Sequence, residues 1–190
     1  MKKSFHLSIF PSSNSSRGFT VLESIVAIFI LSLSISGVFS SVQQSLSQTT
    51  IARDEVKAFY LAQEAVELIR NKRDGNQLER IINSSSNTWL FGISANVADP
   101  CYFGKVCQVD AVSTSFVYCG VSWGSCPVLR QSPSTFLYSY DVSSPATNFK
   151  REIQIESISA TEIAVTVRIS WTKGVSTREF KAKTHLFNWI

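Results

Sequence analysis

Three groups of side chains in this sequence have the types and spacing to do chemistry. Gly120-Val121-Ser122-Trp123-Gly124 matches the G-x-S-x-G elbow that presents a nucleophilic serine, and Asp141 and His185 follow in the chain order of an α/β-hydrolase triad. Cys101, Cys107, Cys119 and Cys126 form an even set confined to one short region. Glu23 is the single formal charge between Phe19 and Thr50, near the start of a segment apolar enough to enter a bilayer.

Each group implies its own chemistry. A nucleophile elbow needs a strand before the serine and a helix after it, whereas Ser122 is followed by Gly124, Cys126 and Pro127, the texture of a loop. That context argues against a hydrolase and leaves His185 as an ordinary strand residue. The cysteines include no Cys-x-x-Cys pair and no nearby histidine, so disulfides are favoured over zinc if the region lies outside the cytoplasm. Four cysteines permit three connectivities, and proximity favours Cys101 with Cys107 and Cys119 with Cys126. With no Walker-type loop, paired-carboxylate motif or metal-ligand spacing elsewhere, the expectation is a protein that is not an enzyme and takes no cofactor or metal.

The elements that would position these groups follow from the hydropathy pattern. Phe19 to Phe39 forms one apolar run, and a helix of that length spans about 30 Å, the thickness of a hydrocarbon core. Lys2, Lys3 and Arg17 precede it in a polar, serine-rich leader, which by the positive-inside tendency keeps the leader cytoplasmic and the rest outside. After Val42 the helix becomes amphipathic. Leu46, Ile51, Val56, Phe59, Tyr60, Ala62, Ala65, Val66 and Ile69 recur at spacings of three and four, and Asp74-Gly75-Asn76 reads as its stop, with a second short helix over 77–83.

Beyond Ser84 the pattern turns to short β-prone runs. Residues 153–158, 162–172 and 175–187 read as an antiparallel meander, and Ile163, Val165, Val167, Ile169 and Trp171 alternate with smaller or polar residues. Residues 92–144 read as a loop-rich, cysteine-bearing insert with three short strands, whose disulfides shape surface loops more than they secure the fold. The whole is an α+β chain: a leader over 1–18, a membrane helix over 19–41, an amphipathic extension over 42–74 and a β-rich extracytoplasmic domain over 75–190. Three of the 18 Lys and Arg residues precede Phe19, leaving 15 against 14 acidic residues, so bulk charge makes no case for nucleic acid. Lys150-Arg151 and Lys181 with Lys183 read as solvated strand faces, and most of Trp89, Trp123, Trp171 and Trp189 as core.

Gly18-Phe19-Thr20-Val21-Leu22-Glu23, behind a short basic leader and ahead of an apolar helix, resembles the processing site of type IV prepilins and pseudopilins. The resemblance covers about residues 17 to 45. It implies that a membrane-embedded prepilin peptidase cuts between Gly18 and Phe19, that the new Phe19 amine is methylated, and that Glu23 pairs with the amine of a neighbouring subunit during assembly. It further implies a pilin-like fold, a single-pass stage in the cytoplasmic membrane, and later incorporation into a pilus or pseudopilus. The partners implied are the peptidase, other major and minor pilins and the assembly platform. Within the superfamily the chain looks like a PilV-like minor pilin; the alternatives are a minor pseudopilin of type II secretion or a tip subunit for adhesion or DNA uptake. Ser24, Ser32, Ser34, Ser36, Ser40, Ser41 and Gly37 are small enough to let such helices pack closely in lipid.

Overall fold

The computed structural model describes residues 18–188. The leader residues Lys2, Lys3 and Arg17, and Trp189 at the other end, lie outside the described residues. The chain divides into two units, residues 1–49 and 50–190, and one helix, α1 (Val21–Asn83), begins in the first and ends in the second.

In the second unit α1 buries Ala58, Leu61, Ala62, Ala65 and Ile69, a track that recurs every three or four residues and so stays on one face. The track differs from the one the hydropathy pattern favours: Val56 and Tyr60 are exposed, while Ala58 and Leu61 are core. Small side chains at Ala58, Ala62 and Ala65 allow close approach to the sheet, which a row of aromatics would prevent. The helix also runs through Asp74-Gly75-Asn76 to Asn83 instead of stopping there. The same face continues as Arg73, Asn76 and Gln77, all buried. Arg73 Nη1 donates to Phe187 O at 3.2 Å, and Asn76 Nδ2 donates to Trp89 O at 3.1 Å and Phe91 O at 2.9 Å. Those tethers offset the cost of about 1 kcal/mol for a mid-helix glycine. Ser84, at φ 50°, takes the left-handed conformation that ends the helix.

Seven strands form one antiparallel sheet: β1 (Val106–Val109), β2 (Phe116–Gly120), β3 (Val128–Gln131), β4 (Tyr138–Ser139), β5 (Ala146–Ser159), β6 (Glu162–Lys173) and β7 (Ser176–Phe187). The meander β5–β6–β7 forms one side of it, with β7 at the edge, in the order the sequence pattern predicts. β5 begins well before residue 153, because Phe149 and Arg151 extend its inward-facing row. Gly174, at φ 62°, makes the two-residue turn from β6 to β7.

The other edge of β5 is divided. β3 pairs with its first half (Val128 opposite Lys150, Arg130 opposite Ala146) and β1 with its second (Val106 opposite Gln154, Cys107 opposite Ile153). The segment 92–144 is therefore part of the sheet, with four strands and not three, and its hairpins β1–β2 and β3–β4 supply core residues Val106, Val109 and Leu129.

Arg151 is the largest fully buried side chain, not a solvated one. It shares the inner row with Phe149, Ile153 and Ile155. Its Nη2 donates to Val109 O at 2.7 Å and its Nη1 bonds Glu64 and, at 3.4 Å, Leu61 O, so one guanidinium joins helix, β5 and β1. A buried cation persists only with such partners.

Candidate processing site and the anchored disulfide loop

Gly18, Phe19 and Thr20 precede the first helical residue, Val21, and are exposed. The Gly18–Phe19 peptide bond thus lies outside the helix. Thr20 is the N-cap: its Oγ1 accepts from the Glu23 amide at 3.3 Å, and its carbonyl accepts the first helical bond from the Ser24 amide at 3.2 Å. Glu23 is the third helical residue and the acid of the first turn, where the helix dipole favours a negative charge. Thr20-Val21-Leu22-Glu23 has the spacing of a capping box, a signal readable in the sequence that fixes the helix start two residues past Phe19.

The apolar stretch behind Glu23 is exposed throughout, from Val21 to Val42. By length and composition α1 can cross a membrane. Its serines do not spoil that surface, because Ser32, Ser34 and Ser36 each donate to the carbonyl four residues back at 2.8 Å. A hydroxyl satisfied within its own helix costs little in hydrocarbon.

In the second unit Cys101 is joined to Cys107 and Cys119 to Cys126. The first bridge is fully buried within the core cluster, where it ties the loop before β1 to the sheet and does more than shape a surface loop. The second links β2 to the loop ahead of β3. On the opposite face of the sheet from the helix, the loop around Gly124 closes over Glu152, which is fully buried. Glu152 Oε1 accepts from the Gly124 amide at 2.6 Å and the Cys126 amide at 3.2 Å, while Oε2 accepts from Arg168 Nη2 at 2.6 Å and Nε at 3.2 Å. Arg168 faces Glu152 across β5–β6 and lies 5.0 Å from the centre of the Trp123 ring, and Lys150 Nζ donates to Gly124 O at 2.7 Å. At Gly120 (φ 156°) a Cβ would come within 2.9 Å of the Ser125 side chain, so the loop's turn requires glycine there.

The structure does not bring Ser122, Asp141 and His185 together. Ser122 lies in the loop just described, with its carbonyl accepting from Ser125 Oγ at 2.7 Å. Asp141 accepts from the Ser143 hydroxyl at 2.6 Å, and His185 Nδ1 lies 2.7 Å from Glu162 Oε1 on neighbouring strands. Among the described residues there is no cluster of three or more His, Cys, Asp or Glu side chains that could hold a metal ion.

A long N-terminal apolar helix, continuing onto an antiparallel sheet with disulfide-bonded hairpins, is an α+β, pilin-like fold. Residues 13–39 match the family model of the prokaryotic N-terminal methylation motif, which supports a place for the chain in the type IV pilin and pseudopilin superfamily as a precursor of that kind. No curated protein and no solved structure matches the chain.

Proposed function

We propose that this chain is a minor pilin, made as a membrane-anchored precursor, cut between Gly18 and Phe19, methylated on the Phe19 amine and then assembled into, or priming, a type IV pilus. The observation that carries the reading is Glu23: the single charge between Phe19 and Thr50, in the first turn of α1 and within the methylation motif spanning 13–39. A carboxylate at mid-bilayer costs about 3 kcal/mol. Cleavage supplies what offsets that cost, because the new α-amine at Phe19 is cationic and a neighbouring subunit's amine can meet Glu23 as the helices align. With every other side chain of the segment uncharged, that ion pair fixes the axial register between subunits. Methylation keeps the amine basic, so the pairing survives it.

Support for a minor role comes from the body, where two disulfide-bonded hairpin regions enlarge a three-stranded meander into a seven-stranded sheet. The test is intact mass of the native protein with quantification in sheared filaments. A chain beginning at methylated Phe19, present at far below the level of the principal subunit, is expected; a retained Met1 refutes the processing, and a bulk abundance refutes the minor role. Glu23→Ala is expected to be cleaved normally but lost from filaments, and unchanged recovery in filaments would remove Glu23 from assembly.

A further inference from the structure

The two hairpins that divide the edge of β5 leave a cleft of about 720 Å³ between their loops. One wall is the β1–β2 turn, with Asp110, Val112 and Ser113; the other surrounds β4, with Ser134, Leu137 and Asp141. Asp110 joins the walls, its Oδ1 accepting from the Val112 amide at 2.8 Å and its Oδ2 from the Tyr140 amide at 3.2 Å. Tyr140 backs the cleft and is fixed there, because its hydroxyl donates to Arg151 O at 3.1 Å and burial pushes the phenol up to about 12. The cleft is thus a built feature between two tethered hairpins.

Its lining is mostly hydroxyl. Ser113, Ser132, Ser134, Thr135, Ser139 and Ser143 line it, and although several are bonded to one another or to the turn, as in Ser132 with Ser134 at 3.1 Å, a hydroxyl keeps further capacity to donate or accept. Asp141 adds an ionised carboxylate, since hydrogen bonds from the Ser143 hydroxyl and amide hold its carboxyl below the usual range. No Lys, Arg or His lines the cleft among the described residues.

The rim carries an aromatic ring in an unusual pose. Phe136, between the lining residues Thr135 and Leu137, is 70% exposed. Its φ is 60°, a left-handed conformation that a bulky residue seldom adopts. The turn enforces it: the Phe136 amide donates to Ser132 O at 2.9 Å, and its carbonyl accepts from Gln131 Nε2 at 3.0 Å. The turn fixes the Phe136 backbone between two lining residues, and its exposed ring sets an apolar group beside many neutral hydrogen-bonding groups.

We propose that this cleft binds a neutral, hydroxyl-rich oligosaccharide, with Phe136 stacking on the C–H face of a pyranose and Asp141 and the neighbouring serines bonding its hydroxyls. A pyranose matches the site on both counts, having an apolar face and a ring of hydroxyls that donate and accept. An ionised Asp141 accepts from a sugar hydroxyl in a charge-assisted bond. Phosphates, sialylated sugars and nucleic acid are disfavoured, because the lining holds two carboxylates, and the cation beside it, Arg130, is tied to the carbonyls of Val142 and Ser144. A cationic peptide fits less well, because only two carboxylates line the cleft to neutralise several charges and each already accepts two hydrogen bonds. The inference does not rest on the filament reading, since every residue of the cleft lies between 110 and 144.

The test applies the full-length protein in detergent to immobilised chito-, cello- and galactose-terminated oligosaccharides, beside sialylated glycans, heparin, duplex DNA and oligolysine. Retention on at least one neutral glycan is expected, with binding about tenfold weaker for both Phe136→Gly and Asp141→Asn, a loss equivalent to about 1.4 kcal/mol. Glycine accepts φ 60° without strain, so Phe136→Gly should melt no lower than the parent, which separates a lost contact from a lost fold. Absence of binding to every neutral glycan, undiminished binding by both variants, or retention only on DNA, heparin or oligolysine overturns the proposal.

Discussion

Replacing Glu152 with alanine should release the loop that carries the second disulfide. The carboxylate is fully buried and accepts four hydrogen bonds, two from the Gly124 and Cys126 amides and two from Arg168. Its removal strands two backbone donors at about 1–3 kcal/mol each if no water reaches them, and leaves a mostly buried guanidinium without its partner. Breaking a buried ion pair from one side costs about 3–5 kcal/mol as a whole. Arg168 keeps 17% exposure and a second carboxylate, Glu179, at 3.6 Å, which together place the expectation near the lower end, about 3 kcal/mol. Against a typical domain stability of about 5–15 kcal/mol that is a large fraction. Denaturant unfolding of the full chain in detergent measures the loss, and hydrogen exchange at the Gly124 and Cys126 amides localises it. Adding Arg168→Met to Glu152→Ala should recover part of the stability, because it removes the unpaired cation. A loss below about 1 kcal/mol with unchanged exchange at both amides would show that Glu152 does not hold the loop.

Ala62→Leu should destabilise the body by about 1–3 kcal/mol, since Ala62 is fully buried against the sheet, and a melting temperature equal to the parent's would contradict the close packing of this face. For Tyr140 the folded chain retains its proton between pH 10, the ordinary value, and about 12, while the unfolded chain releases it. Stability is therefore undiminished below pH 10 and falls by about 3 kcal/mol through that window, and Tyr140→Phe should flatten this limb of the pH profile. Opening the second bridge with Cys119→Ser and Cys126→Ser should cost about 2–3 kcal/mol by loop-closure entropy, with filament processing intact; loss of cleavage at Gly18 in that variant would count against independent units.

What the sequence makes legible is whatever repeats. The alternation of Ile163, Val165, Val167, Ile169 and Trp171 determines both the strand and its buried face, and the apolar run after Glu23 determines the first half of the helix. Less legible is the amphipathic half, where bulk misleads: Tyr60 and Val56 look like core, yet the sheet is met by alanines. The start of β5 is masked by Lys150-Arg151-Glu152, three charged residues in a row. Arg151 nonetheless keeps step with Phe149, Ile153 and Ile155, and two-residue periodicity alone would place it inward. What no local pattern reveals is that Glu152, on the other face, meets Arg168, or that Asp110 reaches Tyr140, since both depend on pairing across long stretches of chain. At the N-terminus the processing motif is visible at once, whereas the helix start is set by a quieter signal, Thr20 with Glu23.

The division of the β5 edge between two short hairpins gives the fold a particular kind of evolvability. Each hairpin is fastened to only a few residues of β5, and the meander on its far side is zipped in register without help from either. Residues can be inserted at the tip of one jaw, or deleted from the other, without shifting a single pair in β5–β6–β7. Related chains built on this plan should accordingly vary most in gape and lining between positions 110 and 144, while the helix and its three-stranded bed stay constant in length.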